Sequence, residues 1–226
     1  MNVRIFTTAL EAQVLPGQRA RRPTSSHSSP EEVARCGASR ARHRVTRYVT
    51  ANRLDQFLTL TAAEAVSRST LLKLVQATIR RLRRRLGGFP WLFVPEESPR
   101  LHAHLFVPHR IASPVEDNWP HGYVDRQRLA SLDDLRAASL YVTKHFGAPA
   151  AGTRRYYVAR GYEPASETVE INSLTALEEI AASLDAEPSA VTPSNPTTGF
   201  LLPTIRFSPT EERIESTSPH HRKTPN

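Results

Sequence analysis

The most restrictive stretch of the chain is RLHAHLFV, Arg100 to Val107. Its residues alternate. Leu101, Ala103, Leu105 and Val107 point one way along an extended backbone, and His102, His104 and Phe106 point the other. The pattern is that of a β-strand, and it stands two imidazoles on one face, about 6–7 Å apart along the backbone. Such a face is either a tolerated surface or a site that binds something. WLFVPEE, Trp91 to Glu97, precedes it as a second apolar run. A tight turn at Ser98-Pro99 joins the two runs as a hairpin.

Other segments fill out a mixed pattern. FLTLT (Phe57 to Thr61) is short, apolar and β-branched, as a buried strand requires. Leu71, Leu74, Val75, Thr78, Leu82 and Leu86 recur at helical spacing, with Ser69 or Thr70 as cap and Gly87-Gly88 as stop. SLDDLRAASLYVTKHFG is expected as a second helix. Ser131 and Asp134 make a capping box, and Leu132, Leu135, Ser139, Val142 and Phe146 form its core stripe. Ser113 to His121 is expected as a wet loop, GYVD as a short edge strand, RRYYVARGY (Arg154 to Tyr162) as a strand and SLTALEEIAASL as a short helix. No internal repeat is evident. The order strand, helix, strand, strand, helix, strand predicts an α+β fold with an antiparallel, RRM-like central sheet. Helices are expected mainly on one face, leaving the other for a ligand.

Composition sets the limits. The 226 residues allow one ordinary domain with tails or two small ones. The reading adopted is a domain over 44–186, a basic tail over 1–43 and a Pro/Ser/Thr-rich tail over 187–226, both tails mostly disordered, with the apolar island GFLLPTIRF able to dock. The formal charge of +8 favours a polyanionic partner, nucleic acid first. One cysteine, Cys36, rules out an intrachain disulfide and fits a reducing compartment. No apolar run approaches the length of a membrane span, so no membrane association is expected. MNVRIFTTALEAQVLPGQ is broken by polar residues and is not expected to act as a signal peptide. No P-loop is present, hence no built-in ATP motor.

Four features carry chemistry. His102 and His104 need one carboxylate to complete a facial three-ligand set with open metal positions. A three-residue turn pairs Glu96 with His102, whereas a two-residue turn favours Glu97. Tyr141 and Lys144 lie three apart on a flank of the second helix, outside its core stripe, and project together. Arg154 and Arg155 with Tyr156 mix cations and aromatics, as single-stranded nucleic acid prefers and as an ordinary strand with a basic entry also shows. The arginines Arg80, Arg81, Arg83, Arg84 and Arg85 suit a helix C-terminus and offer phosphate contacts, or form a solvated face.

FLTLT, LHAHLFV and YVTK occur in this order, and together they resemble the three motifs of the HUH endonucleases, in particular the single-tyrosine rolling-circle replication initiators (Rep proteins) of plasmids and phages. The likeness covers about residues 44–162 and neither tail. The tyrosine follows the histidine pair, as in replication initiators and single-tyrosine transposases and unlike conjugative relaxases. The hairpin before the histidines is shorter than the family's, and an even offset from His102 favours Glu96 over Glu97 as third ligand.

The resemblance implies a metal-dependent enzyme that nicks and rejoins single-stranded DNA at a replication origin. His102, His104 and Glu96 would hold Mn²⁺ or Mg²⁺. Tyr141 would be the nucleophile that forms a 5′-phosphotyrosine, with Lys144 as its electrostatic helper. Arg100, Arg154, Arg155 and Tyr156 would contact the strand. A host helicase and DNA polymerase would be partners, in the cytoplasm of a bacterial host. Alternatives are a single-tyrosine transposase of the same chemistry, or a non-catalytic nucleic-acid-binding protein with an RRM-like sheet.

Overall fold

The computed structural model describes residues 2–15, 29–97, 100–147, 154–170, 175–184, 186–192 and 204–209. In chain order its elements are β1 (Asn2–Phe6), β2 (Glu11–Val14), α1 (Pro30–Ala51), β3 (Gln56–Ala62), α2 (Arg68–Leu86), β4 (Leu92–Glu96), β5 (His102–Val107) and α3 (His109–Asp117). Then follow β6 (Gly122–Arg128), α4 (Leu132–Thr143), β7 (Tyr157–Val158), β8 (Glu167–Glu170), α5 (Thr175–Ser183), β9 (Ala186–Thr192) and β10 (Thr204–Pro209). The fold is α+β with two antiparallel sheets. No helix among the described residues is long and apolar enough to cross a membrane.

The chain divides into two compact units, Ser25–Pro164 and Met1–Thr24 with Ala165–Asn226. The smaller unit is a sheet of order β8-β1-β2-β10-β9. Val3, Ile5, Ala12, Ile205 and Phe207 are buried there. This corrects the tail assignments: β1, β2 and the first part of α1 lie within 1–43, and most of β9 and all of β10 lie within 187–226. The signal was weak because each strand is short and polar residues interrupt its apolar alternation. Of the island GFLLPTIRF, Ile205 and Phe207 are buried in β10, and its first residues lie outside the described set.

The larger unit is built on a sheet of order β6-β3-β5-β4-β7. β5 pairs with β3 on one side and β4 on the other, so the histidine strand is fully laddered. Its alternation sorts the two faces. Ala103, Leu105 and Val107 join Leu58, Leu60 and Phe93 in a core covered by Leu71, Val75, Ile79 and Leu82 of α2 and by Ile111 and Val115 of α3. Phe106 joins Phe57, Leu92 and Val94 in a second core, covered by Val45, Tyr48 and Val49 of α1 and by Leu135 and Val142 of α4. Helices therefore cover both faces, not mainly one. Sequence analysis missed α1 because Ala38, Ala41, Val45, Tyr48 and Val49 keep helical spacing with small side chains amid arginines.

α2 matches its expected span, but its cap is Ser67 and not Ser69 or Thr70, which fall inside the first turn: the Ser67 hydroxyl accepts from the Thr70 N–H at 3.2 Å. α4 carries the expected capping box of Ser131 and Asp134. α3 replaces much of the wet loop expected over Ser113 to His121. Pro114 within it costs about 3 kcal/mol. Burial of Ile111, Val115 and Trp119 on one stripe returns about 1.5–3 kcal/mol per side chain, enough to outweigh that cost. β6 is the expected edge strand, longer than GYVD. β7 keeps only two residues, because Pro95 has no N–H to continue the ladder along β4. The turn at Ser98-Pro99 lies outside the described residues.

Candidate metal and nucleophile site

Register builds the site. β4 and β5 pair Glu96 with His102 and Val94 with His104, so Glu96 shares the face of the histidines. Glu97 points elsewhere and ion-pairs with Arg68 at 3.1 Å. The ligand atoms of Glu96, His102 and His104 all lie within 4.8 Å of one another. His104 Nε2 is 3.0 Å from Glu96 Oε2 and 3.0 Å from His102 Nε2, and His102 Nε2 is 3.8 Å from Glu96 Oε2.

Each imidazole has a partner at its outer nitrogen. His102 Nδ1 stands 2.6 Å from the Arg100 carbonyl, which can only accept, so Nδ1 carries the proton. His104 Nδ1 stands 3.2 Å from Thr59 Oγ1, its cross-strand neighbour, and the hydroxyl can accept its proton. The Phe57 ring stacks on His104 at 5.0 Å between centroids. With the proton of each ring on Nδ1, both Nε2 lone pairs face inward beside a carboxylate. Two such lone pairs 3.0 Å apart repel unless a cation lies among them, and outer hydrogen bonds of this kind orient metal-ligating histidines. Burial, followed by the neighbouring His102, pushes His104 down to about 4, so its imidazole is neutral and free to ligate at neutral pH. The three residues can hold a metal ion.

α4 brings the second pair of residues. Its buried stripe of Leu135, Ser139 and Val142 turns Tyr141 outward, where the residue is 50% exposed. The Tyr141 ring meets His104 edge-on at 5.8 Å. Lys144 Nζ lies 3.9 Å from the Tyr141 ring centroid and 3.8 Å from Glu96 Oε1. The tyrosine, the lysine and the triad thus converge, although the helix that carries Tyr141 lies well beyond the hairpin in sequence.

Two residues escaped the sequence reading. Arg42 on α1 donates to the Thr143 carbonyl at 3.1 Å and the Lys144 carbonyl at 3.4 Å, closing the open end of α4 beside the site. It was placed in the tail, and only the alanine-rich helical period could have placed it on a helix. His145 Nε2 lies 3.9 Å from Glu96 Oε1. Its adjacency to Lys144 was the one available signal.

The expected strand-contacting residues divide. The Arg100 guanidinium bonds the Ala62 carbonyl at 2.8 Å and that of Ala63, so it ties the hairpin to the end of β3 rather than standing free. Arg155 donates to the Gly147 carbonyl at 2.9 Å from Nε. Arg154 is exposed and Tyr156 half-buried, stacked on Phe146 at 6.3 Å. Arg154, Arg155 and Tyr156 lie together, away from Arg100, along the wall of a basic groove.

No family model, curated protein or solved structure matches the chain.

Proposed function

We propose that the protein is a metal-dependent nickase and strand transferase for single-stranded DNA, acting as a rolling-circle replication initiator. The observation that carries the reading is the convergence of Tyr141 and Lys144, on a helix, with Glu96, His102 and His104, on a hairpin. Two-histidine, one-carboxylate sets with open positions suit phosphoryl transfer. Mn²⁺ or Mg²⁺ is the proposed ion, and Mn²⁺ matches two imidazoles better. Bound there, it would polarise the scissile phosphate and stabilise charge in the transition state.

The chain's own residues supply the rest. Tyr141 Oη attacks phosphorus; the Oη–P bond forms and the P–O3′ bond breaks. The phenolic proton is released, and the departing 3′ oxygen takes one up. The product is a 5′-phosphotyrosine and a free 3′-OH that can prime a polymerase. Attack of a 3′-OH on the phosphotyrosine reverses the step, so joining needs no ATP. The Lys144 ammonium beside the ring favours the phenolate that develops as Oη attacks. Thr59 and the Arg100 carbonyl hold the imidazoles in the ligating tautomer.

The test is a denaturing gel with random-sequence single-stranded DNA pools, 5′- or 3′-labelled, with Mn²⁺ or EDTA. An adduct on the 3′ fragment that needs metal and is lost in Tyr141→Phe is the expected result. Binding without any adduct in the wild type overturns the reading.

A further inference from the structure

A groove of about 860 Å³ runs along the β7 edge of the larger unit, between α1 and α2. Among the described residues, seven arginines line it and no Asp or Glu does. Arg40, Arg44, Arg80, Arg83, Arg154 and Arg160 are all exposed, and their side chains make no hydrogen bond or ion pair with another described residue. So many unneutralised guanidiniums in one groove repel one another and destabilise the fold. Arginine's planar fork suits phosphate oxygens.

The rest of the wall is aromatic. Trp91 and Tyr157 stack against the buried Phe93 at 5.7 and 4.7 Å, which holds them rigidly while each stays half-buried. The Trp91 indole N–H is buried without an acceptor among the described residues. Fixed aromatic faces beside a cationic track are the elements that hold unstacked bases and their backbone. A mononucleotide brings too few phosphates to meet seven guanidiniums, whereas a phosphodiester chain brings one charge per nucleotide.

We propose that this groove is a metal-independent binding site for a single-stranded nucleic-acid segment, separate from the Glu96–His102–His104 cluster. It shares Arg154, Arg155 and Tyr156 with the strand contacts that the resemblance implies but uses none of Glu96, His102, His104, Tyr141 and Lys144, so it stands whether or not the protein nicks.

The experiment is fluorescence anisotropy of the full chain with labelled oligothymidylate in EDTA, over a series of KCl concentrations. Arg80→Gln with Arg83→Gln is expected to raise Kd at least about tenfold and to flatten the log Kd against log salt slope by about 1.4, from two lost phosphate contacts. Arg81→Gln with Arg84→Gln removes the same charge from the same helix outside the groove and is expected to leave Kd within about twofold. Glu96→Gln is expected to bind like wild type. Equal losses in both arginine pairs would mean diffuse charge and overturn the groove. So would binding that needs metal, or tighter binding to duplex DNA or anionic vesicles than to the single strand.

Discussion

The metal-ligand cluster and the arginine groove both sit on the five-stranded sheet of the larger unit, and they are built on opposite principles. In the cluster every charged or titratable group has a named partner. Glu96 meets His104 at 3.0 Å and Lys144 at 3.8 Å, and each imidazole has its outer nitrogen held. In the groove, among the described residues, six arginines meet no partner and no carboxylate lines the wall. Exact placement suits an ion and a reacting phosphate. Uncompensated charge suits a polymer whose register matters little. The comparison teaches that the sheet divides geometry from charge between two places.

The largest expected effect falls on the cluster alone. Tyr141→Phe removes the proposed nucleophilic oxygen and should abolish covalent adduct on denaturing gels, while anisotropy shows oligonucleotide binding within about twofold of wild type. Loss of both together would break the division. Thr59→Val removes the acceptor for His104 Nδ1 and should weaken Mn²⁺ binding by about 10–100-fold in calorimetric titration, with the groove unaffected.

Stability effects sharpen the same contrast. Gly122 has φ +151, and a Cβ there would collide with the backbone at Thr61 and Ala62 of β3 and at Ala63 just beyond it. Gly122→Ala should cost about 1–3 kcal/mol in denaturant unfolding and spare both sites in the protein that remains folded. Ser131→Ala deletes the α4 cap and should cost about 0.5–2 kcal/mol, with adduct formation falling before oligonucleotide binding does. The smallest effect is in pH. Hydrogen bonds from the Ser131 backbone, the Ser131 hydroxyl and the Ala130 backbone hold the Asp134 carboxyl below its ordinary value. A depressed folded-state pKa gives stability that is present above the unfolded pKa and lost as pH falls through the folded one. Thermal melts of Asp134→Asn and wild type should therefore converge in acid.

The cluster was legible because its signals are local. The H-x-H alternation fixes a face, the even offset of Glu96 keeps it on that face, and three-residue spacing sets Tyr141 and Lys144 on one flank. That the helix lands on the hairpin was not visible in residue spacing, since it depends on α1 packing beneath α4 and on Arg42 closing its end. The groove was half legible: Arg154, Arg155 and Tyr156 stood out, but Arg40 lies in the stretch read as tail, and Arg44 starts the domain where no helix was read. Helices on both faces went unseen for the same reason. α3 was hidden by Pro114, whose cost only the burial of Ile111 and Val115 outweighs.

The most direct test of the central claim is to map the covalent link. The adduct would be digested with trypsin and nuclease, and the nucleotide-bearing peptide sequenced by mass spectrometry. The account predicts a phosphonucleotide mass on the peptide Ala137–Lys144, AASLYVTK, with fragment ions placing it on Tyr141. A link to any other residue, or a wild-type protein that binds single strands with Mn²⁺ and never becomes linked, would contradict it.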